Sequence, residues 1–201
     1  MRVIPKLATR RAVLYTKNMS ATYELVRARY RPKHIRWLLV AESPPPSAEI
    51  QSSRQFYYTD RVRKDDRLFT NTMRALYPEA ADLTEPVIEA QKETWLRRFQ
   101  ADGWYMIEAL DVSQHHEITK KQRHERIREN LPHLIEKMQQ LAAPDTKVIL
   151  IKSNVFDVAC EPLKAAGFRV LNKELLDYPG IFNQRDFREK LAAMAKAHER
   201  L

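Results

Sequence analysis

The chain has 201 residues, enough for one hydrophobic core and short for two domains. Its three glycines exclude glycine-rich phosphate loops, and its single cysteine excludes a disulfide framework and a cysteine-held iron–sulfur cluster. The net charge is +9, and the whole excess lies in residues 1–36, where ten basic residues accompany one acid. Such a localised positive field favours a nucleic-acid partner, although a solvated basic helix would show the same pattern.

The first 18 residues lack acids, carry arginines and show no convincing amphipathic helix. We predict that residues 1–18 form a disordered or loosely attached basic arm, followed by a single domain over residues 19–201. An organellar transit peptide is the alternative interpretation of this composition. The single cysteine favours a reducing, cytoplasmic setting. No apolar run approaches the roughly 20 residues that a membrane-spanning helix needs, so we expect no membrane association.

Apolar runs predict strands, and apolar residues at helical spacing predict helices between them. In chain order, the predicted elements are a helix over 20–31, a strand over 35–41, helices over 66–77 and 85–100, a strand over 104–110, a basic helix over 120–130 with a start or kink at Pro132 and further helix to 141, a strand over 147–151, a helix over 154–166, a strand over 168–171 and a helix over 184–200.

Strands that alternate with helices predict an α/β fold, with a mainly parallel four-stranded sheet covered on both faces as a three-layer α/β/α sandwich. Right-handed crossovers then bring every strand-to-helix loop to the carboxyl edge of the sheet, where open α/β sheets bind ligands. By this argument four segments meet at that edge. They are residues 42–60, 108–114, 151–154 and 176–180.

Carboxylates follow two of the predicted strands. Glu42 leaves the first strand just before Ser43 and three prolines, where a rigid turn would hold it ready to orient or deprotonate water. Glu108 and Asp111 end the second strand and could share acid–base work. The alternatives are a turn carboxylate bonded to backbone amides for Glu42, and capping or salt bridges for Glu108 and Asp111.

Aromatic and basic clusters accompany these carboxylates. Phe56, Tyr57 and Tyr58 either stack on a base or anchor the long loop that carries them. A second basic run, which includes Lys120, Lys121 and Arg123, either tracks phosphates or forms a solvated helix face. The adjacent histidines at 115 and 116 lack metal-ligand spacing, so we expect no metal and no other cofactor.

The segment Ala41-Glu42-Ser43-Pro44-Pro45, the aromatic loop after it and the late segment Tyr178-Pro179-Gly180 together resemble the motifs of the uracil-DNA glycosylase superfamily. The resemblance spans roughly residues 34–200 in element order. It implies the α/β/α fold of that superfamily and DNA as the partner. Three residues depart from the usual motifs, because Ser43 replaces a water-positioning Asp or Asn, Glu108 replaces a base-reading amide and Tyr178 replaces a histidine.

The resemblance also implies a role for each candidate residue if the chain removes a deaminated base. Catalysis would fall to Glu42, Ser43 and Tyr178, and base binding to Phe56, Tyr57, Tyr58, Glu108 and Asp111. Phosphates would be held by Arg27, Arg31, Lys120, Lys121, Arg123 and Ser153. Two alternatives remain open: a non-catalytic nucleic-acid-binding module on the same fold, and a small-molecule enzyme that uses the strand-edge carboxylates.

Overall fold

The computed structural model describes residues 23–45, 56–59, 66–114 and 118–198. The predicted arm over 1–18 and the adjacent histidines at 115 and 116 lie outside these residues. No helix in the described part of the chain is long and apolar enough to cross a membrane.

The centre of the molecule is a four-stranded parallel sheet, as the alternating pattern predicted. Its strands are β1 (Trp37–Ala41), β2 (Trp104–Glu108), β3 (Lys147–Leu150) and β4 (Arg169–Val170). Their order across the sheet is β2-β1-β3-β4, and every pairing is parallel. Every residue of β1, β2 and β3 is buried, which is why these strands appear in the sequence as continuous apolar runs.

Seven α-helices lie among the described residues, so the chain is a mixed α/β protein. The helices are α1 (23–28), α2 (Arg67–Leu76), α3 (Glu85–Ala90), α4 (Lys92–Ala101), α5 (Lys120–Leu141), α6 (Ser153–Ala165) and α7 (Gln184–His198), with a short 3-10 turn at Pro78–Ala80. Helix α2 packs against α7, and α5 packs against α6. This arrangement is consistent with an α/β/α sandwich.

Two helix boundaries differ from the predicted ones. The helix predicted over 85–100 is divided at Gln91, whose N–H donates to the carbonyl of Ile88 at 3.2 Å. The division starts α4 at Lys92, which is buried and pairs with Asp66 at 2.5 Å. In contrast, α5 runs without interruption through Pro132, which is exposed. Arg128, four residues before Pro132, is exposed as well, so water can solvate the carbonyl that loses its helical partner.

The fold places the carboxyl ends of three strands and the segment after β4 at one edge. The pairings of β1 with β2 and β3 align the carboxyl ends of these three strands. Ile151 then pairs with Leu176 in an isolated parallel bridge, which draws the segment after β4 to the same edge. The candidate residues that follow β1, β2 and β4 are thereby brought close together.

Candidate functional site

A cleft of about 440 Å³ opens at the carboxyl edge of the sheet. Glu42 reaches it from the end of β1, Glu108 from the end of β2, and Tyr178 from the segment after β4. The other residues that line it are Ala41, Ser43, Pro44, Pro45, Phe56, Tyr57, Arg67, Leu68, Met106, Ser113, Gln114, Arg123, Ile151 and Lys152. Polar groups from separate parts of the chain thus share one concave site, which is the usual form of a ligand pocket.

Glu42 is the most highly connected polar group of the cleft. Its side chain is only 4% exposed. Arg123 Nη1 lies 3.2 Å from Glu42 Oε1, the amide of Asn154 donates to the same oxygen at 3.3 Å, and the Lys152 ammonium contacts Oε2. Burial raises the pKa of Glu42, but Lys152 and Arg123 outweigh it and hold the pKa below its ordinary value. Glu42 is therefore an anion at neutral pH.

Lys152 reaches Glu42 from a strained backbone. It has φ +81° and ψ 140°, and it is the only non-glycine residue with positive φ in the described part of the chain. Its N–H donates to Leu176 at 2.8 Å, and its carbonyl accepts from Val155 and Phe156 at 3.1 Å. A lysine in this region costs about 1–3 kcal/mol, and such strain occurs most often at functional sites.

Replacing Lys152 with methionine should raise the pKa of Glu42, because the nearest cation would be lost while burial remained. A carbon-13 NMR titration of the side-chain carboxylates measures this directly. The folded pKa of Glu42 lies below its unfolded value, so Glu42 adds stability above the unfolded pKa that is lost as the pH falls through the folded pKa. The variant should lose that stability at a higher pH than the wild type.

Lys120→Met is the matched control for this titration, because Lys120 is exposed and pairs with Asp157 rather than with Glu42. It should leave the pKa of Glu42 unchanged. A Glu42 titration that is the same in Lys152→Met and in the wild type would contradict the electrostatic role given to Lys152.

Glu108 lines the cleft from a buried ion pair. Arg27 is 2% exposed, and its guanidinium contacts both Glu24 and Glu108. Burial raises the pKa of Glu108 despite the attraction of Arg27. Arg27, which was predicted to contact phosphates, lies buried beside Glu108, because the buried carboxylate at the end of β2 requires a cation.

The three consecutive aromatic residues have different positions. Phe56 and Tyr57 line the cleft, whereas Tyr58 is fully buried outside its lining. The Tyr58 hydroxyl accepts a hydrogen bond of 2.6 Å from the N–H of Met106 in the edge strand β2. Tyr58 therefore anchors its loop to the sheet instead of contacting a ligand. Phe56 packs against Tyr23, with ring centroids 4.6 Å apart.

Two further candidates lie away from the cleft. Asp111 lines a separate cavity of about 350 Å³ and binds Lys137 at 2.9 Å and His133 at 2.8 Å. Burial raises the pKa of Asp111, but Lys137 and His133 hold it below its ordinary value. Asp111 therefore forms the salt bridges named as its alternative, instead of contacting the cleft. Ser153 is half-buried at the start of α6 and does not line the cleft either.

The residues of the predicted basic run lie in two places, some at the surface and one in the cleft. Lys120 and Lys121 are exposed at the start of α5, whereas the Arg123 side chain is 17% exposed and turns inward to Glu42. Arg31 is exposed and lines two other cavities, not this one.

Sequence reasoning did not single out Arg67, Ser113, Gln114, Lys152 or Asn154 as site residues, although all but Arg67 lie in segments that it placed at this edge. Lys152 and Asn154 flank the predicted strand-to-helix junction, so their position was a usable signal. Arg67 at the start of α2 has no comparable signal, because it follows none of the predicted strands.

Within the described residues, no group of three or more His, Cys, Asp or Glu side chains could hold a metal ion. Comparison with family models, with curated proteins and with solved structures finds no match. The function must therefore be argued from the chemistry of the cleft.

Proposed function

We propose that the chain is a DNA glycosylase, similar to the uracil-DNA glycosylase superfamily, that removes a deaminated base extruded from DNA. The observation that carries the proposal is that Glu42, Glu108 and Tyr178 line one cleft together with the ring of Phe56. A base inside a duplex cannot be reached by an enzyme, so such chemistry requires a pocket that takes the extruded base. An aromatic face, polar groups for the base edge and an anion for the sugar are the parts that this pocket needs.

Glu42 would act on the sugar. As the bond between C1′ and the base nitrogen breaks, positive charge develops on the sugar, and a carboxylate that stays ionised stabilises it. The lowered pKa of Glu42 suits this role and makes it a poor general acid. Water then adds to C1′, and its proton passes to solvent or to the departing base.

Tyr178 and Glu108 would act on the base. Burial, with a smaller effect of Asp66, raises the pKa of Tyr178 to about 12, so its hydroxyl is protonated at neutral pH and can donate to the departing base anion. Glu108 is held by Arg27 at the end of β2. Its carboxyl group can accept a hydrogen bond from a ring N–H of a deaminated base, which has lost its amino donor.

Basic residues around the cleft would hold the phosphates that flank the extruded nucleotide. Arg67 and Lys152 line the cleft, and Lys120 and Lys121 are exposed at the start of α5. Contacts of this kind position DNA without reading its sequence.

Two exposed apolar side chains, Ile181 and Phe182, follow the segment that carries Tyr178. Ile181 is 67% exposed and Phe182 is 94% exposed. Among the large apolar residues of the described chain, only Leu25, at 72%, is exposed to a similar degree. Apolar side chains that enter a base stack can fill the gap left by an extruded base. Their closeness in sequence to Tyr178 supports a role for one of them as this wedge.

Phe182→Ala should therefore reduce base release from duplex DNA by about tenfold, which corresponds to roughly 1.4 kcal/mol of lost transition-state stabilisation. It should have a smaller effect on single-stranded substrate, where no stack has to be opened. Thermal unfolding should not change, because the ring is almost wholly in solvent. Val87→Ala, which removes another exposed apolar side chain, is the control. Equal losses on duplex and single strand would contradict the wedge.

The direct test is a screen for abasic sites in duplexes that contain uracil, hypoxanthine or xanthine. Abasic product from one of them supports the proposal. Salt-dependent DNA binding without abasic product would leave the non-catalytic binding module instead. If the protein has no affinity for DNA at low salt, both nucleic-acid functions fail and a small-molecule substrate for the cleft becomes the better hypothesis.

A further inference from the structure

A second cationic cavity lies at the opposite edge of the sheet. Its volume is about 470 Å³, and no residue lines both this cavity and the cleft described above. The residues with basic side chains that line it are Arg31, Lys33, His34, Arg36 and Arg97. No Asp or Glu is among the described residues of its lining.

The cavity is fixed to the amino ends of β1 and β2. The N–H groups of Arg36 and Trp37 both donate to the carbonyl of Gly103, at 2.9 and 3.0 Å. Gly103 has φ +81°, and a Cβ atom there would lie 2.9 Å from Cγ of Arg36. The turn at Gly103 thus holds the stem of Arg36 in place. Because β1 has five residues, this edge lies roughly 15 Å from the cleft.

Neighbouring charges reinforce the positive field of this edge. Lys147 is the first residue of β3, and Arg169 is the first residue of β4. Together with Arg36, which directly precedes β1, they form a row of basic residues along the amino ends of the strands. Burial lowers the pKa of Lys147, and Arg169 and Arg36 lower it further. These cations therefore repel one another in the folded protein, which costs stability unless an anion is bound.

Three of the five basic side chains of the cavity are also available to a ligand. Within the described chain, none of Arg31, Lys33 and Arg36 has an ion-pair partner. Of the other two, His34 lies 3.0 Å from Asp145 and Arg97 lies 3.7 Å from Glu93, and both pairs are exposed to solvent. Arg97 lies over the ring of Tyr30, which orients its guanidinium. Arginine forks set in this way match the oxygen atoms of phosphoryl groups.

We infer that this cavity binds a ligand with two or more phosphoryl groups, which it recognises by charge alone. None of its described lining residues is Phe, Tyr or Trp, so it offers no face on which a base could stack. Its volume falls in the range of small-ligand sites. Such groups occur in free polyphosphate compounds and in the backbone of nucleic acid. The inference is independent of the glycosylase proposal, because it uses none of the cleft residues.

The test is calorimetric titration of the full chain at low salt with inorganic triphosphate. The wild type should bind it, and Arg36→Gln should weaken binding by about tenfold through the loss of a charge-assisted hydrogen bond. Lys33→Gln is a second variant, because Lys33 is exposed in a loop and its replacement leaves the fold intact. The control is Arg185→Gln, an equal loss of charge at an exposed position of α7.

A second titration with a 12-nucleotide single strand identifies the source of the phosphoryl groups. Sensitivity of this binding to Arg36→Gln, with competition by triphosphate, indicates the nucleic-acid backbone. If Arg36→Gln weakens the binding of triphosphate but not that of the single strand, the ligand is a free polyphosphate compound. The inference is overturned if triphosphate fails to bind, or if Arg36→Gln and Lys33→Gln weaken it no more than Arg185→Gln does.

Discussion

Glu42→Gln should reduce the rate of base release by about 10²–10³-fold, the usual loss when a group that stabilises transition-state charge is removed. Glutamine keeps the shape of the side chain and can still accept from Asn154, so the change removes the negative charge with little alteration of packing. The cations left behind, Lys152 and Arg123, are both partly exposed. Water can therefore solvate them, and the variant should fold.

The rate of abasic-site formation under single-turnover conditions measures this effect. Glu136→Gln is the control, since Glu136 is exposed on α5 and lines a different cavity. It should release base at the wild-type rate. A Glu42→Gln variant with undiminished activity would remove Glu42 from the mechanism, whatever the status of the fold.

The largest expected effect on stability is that of Arg27→Met. This change leaves Glu108 buried without its cation, and breaking a buried ion pair on one side costs about 3–5 kcal/mol. Unfolding in urea measures the loss. Burial already raises the pKa of Glu108, so the variant should be least stable at high pH and should recover as acid protonates this carboxyl group.

Arg29→Met provides the matched control, because Arg29 is exposed just after α1. It should alter the free energy of unfolding by no more than about 0.5 kcal/mol. The double variant Arg27→Met/Glu108→Gln should recover part of the loss, because it leaves no buried charge. If Arg27→Met were as stable as Arg29→Met, the pair with Glu108 would have no structural role.

The sheet could be predicted because its strands are buried on both faces. Runs such as Trp104–Glu108 show no regular alternation of apolar and polar residues, which is typical of strands buried on both faces. The helices between the runs imply parallel pairing. Parallel pairing in turn predicted which loops share an edge. Glu42, Glu108 and Tyr178 line one cleft for that reason.

The parts that could not be predicted depend on contacts between distant segments. Arg27 was predicted to hold phosphates, but its partner Glu108 is 81 residues away in the sequence. The sequence does not reveal that the Glu108 carboxylate is buried. The need for a buried arginine beside it could therefore not be predicted either. The same holds for Lys92, which pairs with Asp66 and starts a new helix where a continuous one was expected.

Side-chain direction at Lys152 and Tyr58 was equally inaccessible. Lys152 contacts Glu42 from a backbone with a positive φ, which is unusual for lysine. The aromatic residues 56–58 look equivalent in sequence, yet the Tyr58 hydroxyl accepts from a backbone N–H of the edge strand β2, while Phe56 lines the cleft.

The central claim is that the cleft receives a base extruded from duplex DNA. The most direct test is the fluorescence of 2-aminopurine placed beside a deaminated base in a duplex, titrated with Glu42→Gln so that cleavage is slow on the timescale of the measurement. Fluorescence should rise on binding, because extrusion of the deaminated base unstacks its neighbour. DNA binding that saturates with no change in fluorescence would contradict the claim.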